Sequence, residues 1–207
     1  MTRMAVDLKK ELPDYSATSG RFDVVEVPPR RYLMVDGHGD PNTSPLYADA
    51  LTAVYPVAYA VKFAARRELG LDHVVMPLEA LWWADDPAVF TTRRDKALWS
   101  WTVMILVPEP VTAEIVETAI DDVRRKKAPA RIDEVRLDAL DEGTCVQTLH
   151  IGPYDAEGEV LAELHDRFLP EHGRRPRGRH HEIYLSDARR AAPATLRTIL
   201  RQPIEPA

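Results

Sequence analysis

The stretch RGRHHEIYLSD, residues 177–187, places a carboxylate inside a segment that otherwise has the pattern of a β-strand. Side chains alternate along a strand, so Glu182 and Tyr184 share one face while His181 and Ile183 share the other. We expect the more apolar face to pack against helices, which leaves Glu182 and Tyr184 facing away from that core. An acid on an aromatic surface attracts a delocalised cation or, with its pKa raised by desolvation, accepts a proton. The plainer interpretation is a solvated surface glutamate.

Aromatic residues supply the second part of this chemistry. Trp82, Trp83, Trp99 and Trp101 lie close together in the sequence, and Tyr154 follows a predicted strand. Trp and Tyr rings offer flat apolar contact and cation–π attraction, which suit varied flat ligands. Each tryptophan could equally fill the core, so we expect the four to divide between core and site. The predicted ligand contacts are Glu182, Tyr184, Trp83, Trp99, Trp101, Met104 and Tyr154.

Other kinds of site find little support in the sequence. His180 and His181 are adjacent and would point to opposite faces of a strand, so they cannot easily chelate one metal ion. The segment DGHGDPN, residues 36–42, lacks the GK[ST] or GxxG context of a phosphate-binding loop. Cys145 is the single cysteine, which excludes an internal disulfide and fits a buried thiol in a reducing compartment. We therefore predict neither a metal nor an organic cofactor.

The composition is typical of a soluble globular protein. Of the 207 residues, 45% are hydrophobic and 29% are charged, and the formal net charge is −6. This acidic balance argues against nucleic acid, whose phosphates are bound mainly by clustered Lys and Arg. No apolar run approaches the ~18 residues that a membrane span needs, and the N-terminus has no apolar targeting segment. We expect a cytoplasmic protein with neither nucleic acid nor membrane as a partner; no particular oligomeric state follows from the sequence.

The elements that must position the candidate residues occur twice. YLMVDGHGDPNTSPLYADAL and CVQTLHIGPYDAEGEVLAEL both run from a β-rich stretch through glycine into a helical pattern. The duplication aligns Gly39 with Gly152, and it aligns the closing strand from Trp101 with the one from Leu196 without gaps. The chain therefore predicts two related halves.

Within each half the predicted order is strand, helix, strand, strand. Apolar spacing of three and four residues predicts one helix from about Ser44 to Leu69 and another from about Ala156 to Phe168. Thr112 is predicted to cap a linking helix between the halves. The fold class is therefore α+β, with helices packed on one side of an antiparallel sheet.

Five motifs in order carry a resemblance to a known family. They are DLKKEL at 7–12, DGHGDPN at 36–42, LWW at 81–83, WSWTVMI at 99–105 and HEIYLSD through LRTILRQPI at 181–204. In this combination the chain resembles the GyrI-like family of small-molecule-binding proteins, particularly its stand-alone members. The resemblance implies a single domain over 1–207 of duplicated strand-helix-strand-strand (SHS2-type) units, about 20–110 and 130–205. It also implies a ligand cleft between these halves, and it matches the pocket glutamate of relatives to Glu182.

The resemblance implies three functions from different classes. Relatives bind bulky, lipophilic, often cationic aromatic compounds, which would serve sequestration or detoxification. Other stand-alone members are hydrolases that open the cyclopropane ring of DNA-alkylating natural products; Glu182 would position the water, and Tyr184 or Tyr154 would donate a hydrogen bond. The third is a protein-interaction module of the gyrase-inhibitor type. Since no DNA-binding domain is visible before the first strand, detoxification by binding or hydrolysis is the leading interpretation.

Overall fold

A computed structural model of the protein describes residues 5–90 and 93–207. Within them, antiparallel pairing joins the strands into one large sheet, in the order β1-β6-β9-β8-β3-β4-β2-β5, with β7 paired to β9. The strands are β1 (Asp23–Val27), β2 (Arg30–His38), β3 (Glu79–Trp83), β4 (Ser100–Val107), β5 (Arg136–Leu140), β6 (Gly143–Ile151), β7 (Arg174–Pro176), β8 (His180–Tyr184) and β9 (Arg197–Pro206). Together with the helices, this sheet confirms the α+β fold class.

The helices largely follow the predicted pattern. They are α1 (Leu8–Glu11), α2 (Pro45–Leu69), α3 (Ala113–Lys127), α4 (Glu157–Ala162) and α5 (Leu169–Glu171), with a π-helical segment (Glu163–Phe168) between the last two. Ser44 precedes α2, and Thr112 caps α3 by accepting a hydrogen bond from the Ile115 amide. The helix predicted from about Ala156 to Phe168 is α-helical only in part, because its second half is the π-helical segment. Among the described residues, no helix has both the length and the apolar character to cross a membrane.

The sheet order shows the duplication directly. The series β2, α2, β3, β4 and the series β6, α4, β8, β9 repeat the same order, and the sheet reads β2-β4-β3 on one side and β8-β9-β6 on the other. Strands β2 and β6 each have nine residues and are followed by Gly39 at φ +100° and Gly152 at φ +146°. Only glycine adopts such angles readily, so both turns into the helices depend on it. The alignment of these two glycines is confirmed, while the single-domain assignment with its boundaries stays a prediction.

The gap-free alignment of the closing strands is wrong by two residues. Ser100 pairs with His38 in the first half, and Arg197 pairs with Ile151 in the second. Ser100 therefore corresponds to Arg197. A slip of two residues preserves which face each side chain occupies, because the strand period is two.

Two helical layers cover the same face of the sheet and leave its middle open. Helix α2 packs on β2 and β4, and α3 packs on α2. In the second half, Leu164 and Leu169 of the π segment and α5 form a buried cluster with Val146 of β6 and Ile204 of β9. The central strands β3 and β8 lie between these layers and form the floor of a cleft.

The expected orientation of β8 is wrong. Glu182 pairs with Ala80 and lies on the helix-covered face, at the cleft floor. His181 points to the opposite face, where it is fully buried. We expected the more apolar face of β8 to pack against helices. That expectation failed because this face of the central strands is covered by a buried polar network instead.

This network centres on His181. Its Nδ1 lies 3.0 Å from both carboxylate oxygens of Glu142, and its Nε2 lies 2.9 Å from Oε2 of Glu79. The Tyr15 hydroxyl donates to Glu79 at 2.5 Å, and the Arg201 guanidinium donates to Glu142 at 3.1 Å. Since carboxylates are acceptors, both ring nitrogens of His181 must carry protons, which makes the ring a cation.

The network closes through the N-terminal segment. Arg201 donates to the backbone oxygen of Asp14 at 2.6 Å and to its carboxylate at 3.2 Å, and Arg30 also pairs with Asp14. The charges of the three acids balance those of the two arginines and a protonated His181. Burial opposes this charge, but Glu142 and Glu79 outweigh burial and raise the pKa of His181 to about 9.

We expect His181→Gln to lower the free energy of unfolding by roughly 3 kcal/mol, since it leaves buried carboxylates without their cation. A raised pKa contributes stability that is complete below the ordinary value of 6.5 and is lost as pH rises through about 9. Wild type should therefore lose stability between pH 7 and pH 10 more steeply than the variant in urea titrations. The exposed His38→Gln serves as control; equal pH slopes in wild type and His181→Gln would contradict a protonated His181.

Candidate functional site

A cavity of about 1500 Å³ lies over the central strands, between α2 and the second-half helices. It exceeds the roughly 300–1,000 Å³ of ordinary small-molecule sites, so it accommodates a bulky ligand. Residues of both halves line it, including Tyr47 and Leu51 of α2 and Leu161 of α4. The sheet order places this cleft on the axis that relates the two halves.

Aromatic rings form the wall contributed by the first half. The Trp82 ring stacks on Tyr47 with centroids 6.1 Å apart and meets Trp99 edge-on at 5.7 Å. Phe90 packs on Trp99 at 4.8 Å, and the Trp99 indole nitrogen donates to the backbone oxygen of Val89. Because these rings hold one another, the wall is preorganised for a flat apolar partner.

The carboxylate of Glu182 lies on the floor of the cleft, with its side chain 13% exposed. The Tyr184 hydroxyl donates to Oε2 of Glu182 at 2.7 Å and accepts from the Trp82 indole nitrogen at 3.2 Å. The other oxygen, Oε1, lies 3.6 Å from Nε2 of His180. Among the described residues no Lys or Arg pairs with Glu182, so its charge is available to a ligand.

Two phenols stand beside this carboxylate. Tyr154 meets Tyr184 edge-on with centroids 5.5 Å apart. Burial first, and then Glu182, raise the pKa of Tyr184 well above its ordinary range. Burial, Glu157 and Glu182 raise the pKa of Tyr154 to about 12. Both phenols therefore stay protonated at neutral pH and act as hydrogen-bond donors.

A second carboxylate, Glu157 at the start of α4, borders the same cavity. The residue is 5% exposed, and its Oε1 has no hydrogen-bond partner among the described residues. Burial, followed by the charge of Glu182, raises the pKa of Glu157 to about 10. The raised pKa favours the neutral form of Glu157, which borders the same cavity as Glu182.

Unpartnered polar atoms cluster near these acids. Both ring nitrogens of His180 and the hydroxyl of Thr198 are buried without a hydrogen-bond partner among the described residues. His165, on the π segment, also borders the cavity, and burial lowers its pKa to about 4. Buried polar groups are normally hydrogen-bonded, so this end of the cleft is suited to water or to polar atoms of a ligand. The described residues contain no group of three or more His, Cys, Asp or Glu that could hold a metal ion.

The structure brings together part of the predicted site. Glu182, Tyr184, Tyr154 and Trp99 all border the cavity. Trp83, at the end of β3, lies at its edge, with the Arg179 guanidinium 3.5 Å from the centre of its ring.

Two predicted contacts are wrong, since Trp101 and Met104 do not line the cavity and are both fully buried. Met104 of β4 pairs with Glu79 and so lies on the opposite face of the sheet. Trp101 lies beneath Tyr47 and donates to the backbone oxygen of Gly39 at 3.2 Å. It also lies against Gly37, where any added Cβ would collide with its ring.

Several residues that line the cavity were not predicted from the sequence. Tyr47, Glu157 and His180 were not predicted as ligand contacts, and Trp82 was left open between core and site. Tyr47 falls on the apolar stripe of α2, which signals only burial. Glu157 lies in the first turn of a helix, where an acid is common for its effect on the helix dipole. The cavity that they line lies over the paired strands β3 and β8, and a pattern along one strand does not reveal that pairing.

An ion-pair cluster crosses the mouth of the cleft. Arg94 and Lys96 of the first half each lie 2.9 Å from the Asp155 carboxylate of the second half. Both cations also approach the Trp99 ring, at 5.8 and 5.7 Å. These pairs are exposed at Asp155, so they contribute little stability, but they place positive charge at the mouth rather than beside Glu182.

Solved structures share this architecture over nearly the whole chain. An uncharacterized conserved protein from Listeria innocua is 36% identical, with a TM-score of 0.86, and the match covers 97% of this chain and 100% of that one. A protein from Listeria innocua described as a hydrolase is 35% identical, with a TM-score of 0.83 and the same coverage. The EcmrR C-terminal domain shares the fold at 12% identity and a TM-score of 0.56, covering 90% of this chain and 98% of that domain.

The chain matches none of the curated proteins with which it was compared. A sequence model of the GyrI-like small molecule binding domain matches residues 21–205, which include both halves of the sheet and every element that lines the cleft floor. The protein therefore belongs to the GyrI-like small molecule binding domain family.

Proposed function

We propose that this protein binds bulky, lipophilic aromatic molecules, preferentially cations, in the cleft and so sequesters or detoxifies them. The observation that carries the proposal is a Glu182 carboxylate on the floor of a large aromatic cavity without a Lys or Arg partner among the described residues. A buried charge without a counter-ion is costly, and a ligand cation removes that cost.

The aromatic wall supports the same ligand class. Trp82, Trp99 and Tyr154 all border the cavity, and a cation over the face of such a ring gains roughly 0.5–2 kcal/mol. Flat apolar contact has little directional demand, so one cleft tolerates ligands of different outline. In this proposal, Glu182 provides the preference for cations, and the aromatic rings allow ligands of different shapes to bind.

We expect Glu182→Gln to weaken binding of the cationic dye thioflavin T by about 5- to 150-fold, corresponding to loss of about 1–3 kcal/mol for a charge-assisted contact. The uncharged benzothiazole analogue that lacks the ring N-methyl group should bind both forms within about twofold, because it makes no ion pair. Fluorescence titration at constant ionic strength measures both dissociation constants.

The matched control is Glu159→Gln, which removes an exposed carboxylate from the same half without touching the cleft floor. It should bind both dyes as wild type does. If Glu182→Gln binds the cation as tightly as wild type, Glu182 does not provide the charge selectivity.

A second candidate function is hydrolysis of a strained electrophile. Two observations favour it: the Glu182 carboxylate borders the cavity beside two phenols, with no hydrogen bond to its Oε1 among the described residues, and a 35% identical structure is described as a hydrolase. A cyclopropane fused to a conjugated aromatic ketone, as in DNA-alkylating natural products, matches this site because its reaction needs a flat clamp and a positioned water.

The ring opening balances with the groups present. The oxygen of water bonds to a ring carbon, the ring carbon–carbon bond breaks, and its electron pair moves through the conjugated system to the carbonyl oxygen. Glu182 takes the proton of the attacking water and then returns it to that oxygen. Tyr184 already donates to Glu182, so Tyr154 is the phenol that can donate to the developing oxyanion.

We expect a cyclopropane-bearing aromatic alkylator to be converted catalytically to its water adduct, which mass spectrometry detects. Glu182→Gln should lower kcat by ~10²–10⁴-fold, the usual contribution of a general base, while Glu159→Gln keeps the wild-type rate. Stoichiometric protection of the alkylator without the adduct would reject hydrolysis and leave sequestration. Full turnover by Glu182→Gln would reject the role assigned to that carboxylate.

A further inference from the structure

The cleft contains two buried carboxyl groups, whereas a monovalent cation needs only one negative charge as its partner. Glu182 and Glu157 border the same cavity, one on β8 and the other on α4. Glu157 forms no ion pair among the described residues, and the one basic side chain within ion-pair range of Glu182 there is His180, whose Nε2 lies 3.6 Å from Oε1. Two like charges in one desolvated space repel each other, so the arrangement favours one ionised and one neutral carboxyl group.

We propose that Glu157 and Glu182 together hold one exchangeable proton, and that an aromatic cation enters the cleft in exchange for it. This deepens the proposed function and rests on it. The free site has the charge of one carboxylate, and the occupied site gains a second carboxylate as the cation arrives.

Among the described residues, neither of the nearby bases Arg94 and His165 forms an ion pair with Glu157. The Arg94 guanidinium is already paired with Asp155 at the mouth, and His165 is held neutral by burial, with its pKa lowered to about 4. The groups that face the two acids from the elements around them are Tyr154 and Asp155 before α4, His165 on the π segment, His180 and Tyr184 on β8, Thr198 on β9, and Tyr47 and Arg94 from the first half.

The unpartnered atoms indicate where the proton is held. Oε1 of Glu157 is buried without a hydrogen-bond partner among the described residues, as is the hydroxyl of Thr198. A buried carboxylate needs several hydrogen-bond donors around its two oxygens, whereas a protonated carboxyl group needs one acceptor for its O–H. An environment with few partners therefore favours the neutral acid.

The size of the effect follows from the shift already described. Glu157 has a pKa of about 10 in the free site, and a positive charge within about 4–6 Å lowers a carboxyl pKa by about 1–3 units. The proton is therefore retained by the free protein near pH 8.5 and largely released from the complex. Cation affinity should rise about tenfold between pH 7.5 and pH 9, while affinity for a neutral ligand stays constant.

Calorimetry tests the exchange directly. Thioflavin T is titrated into wild-type protein at pH 8.5 in Tris and in borate, whose different ionisation enthalpies reveal the protons released per cation bound. We expect release of about 0.5–1 proton with the cation and none with its uncharged benzothiazole analogue. This comparison uses the wild-type protein alone and stands whether or not any variant folds.

Variants assign the proton. Glu157→Gln, which imitates the neutral acid, should abolish release and remove the pH dependence of cation affinity; Glu159→Gln on the same helix should keep both. The raised pKa also means that Glu157 contributes stability below its ordinary value of 4.5 that is lost as pH rises through about 10. The melting temperature of Glu157→Gln should therefore fall less than that of wild type between pH 7 and pH 10.

The outcomes separate this inference from the function on which it rests. Tight cation binding with no proton release, or with equal release on binding the neutral dye, overturns proton exchange and leaves the binding function intact. Failure of both dyes to bind overturns the binding function itself. Release that persists in Glu157→Gln assigns the proton elsewhere and contradicts the inference.

Discussion

The imidazolium of His181, held between the carboxylates of Glu79 and Glu142, is the interaction on which the site depends. Glu79 belongs to β3 and His181 to β8, so the ion pair fixes the register in which the two halves join. The next residue along β8 is Glu182, whose side chain must then point to the other face. A charge buried on one side of the central strands therefore fixes the direction of the carboxylate that borders the cleft on the other side.

The two faces differ in how their charges are balanced. Behind the sheet, each buried acid has a cation: His181 for Glu79 and Glu142, and Arg201 for Asp14 and Glu142. Such a network is complete and needs no ligand. In the cleft, the acids lack a Lys or Arg partner among the described residues, so their cost is reduced by protonation or by an incoming cation. The same physical rule thus makes one face structural and leaves the other ready to bind.

Much of this fold could be predicted from the sequence because turns and helices leave local patterns, and these patterns occur twice. Gly39 and Gly152 mark equivalent turns, and the apolar spacing of α2 predicts its bounds within one residue. The cleft was harder to predict because its floor depends on which strands are neighbours. Alternation along β8 separates Glu182 from His181, but it does not say which face the helices cover. Apolar content did not predict which face of β8 the helices cover, since the polar side chain of His181 is more deeply buried than that of Glu182 and yet lies on the face opposite the helices.

The aromatic residues show a similar limit of sequence-based prediction. An aromatic residue type predicts burial, but it does not predict whether the ring is buried in the core or beside the cavity. Trp101 and Trp82 are both deeply buried. Trp101 is covered by Tyr47 and fits against Gly37, whereas the Trp82 indole nitrogen donates to the Tyr184 hydroxyl and so connects the wall to the carboxylate. That hydrogen bond orients the Tyr184 hydroxyl as donor to Glu182. One oxygen of Glu182 is thereby occupied, while Oε1 accepts no hydrogen bond among the described residues; the two proposed functions assign that oxygen to a ligand cation or to a water molecule.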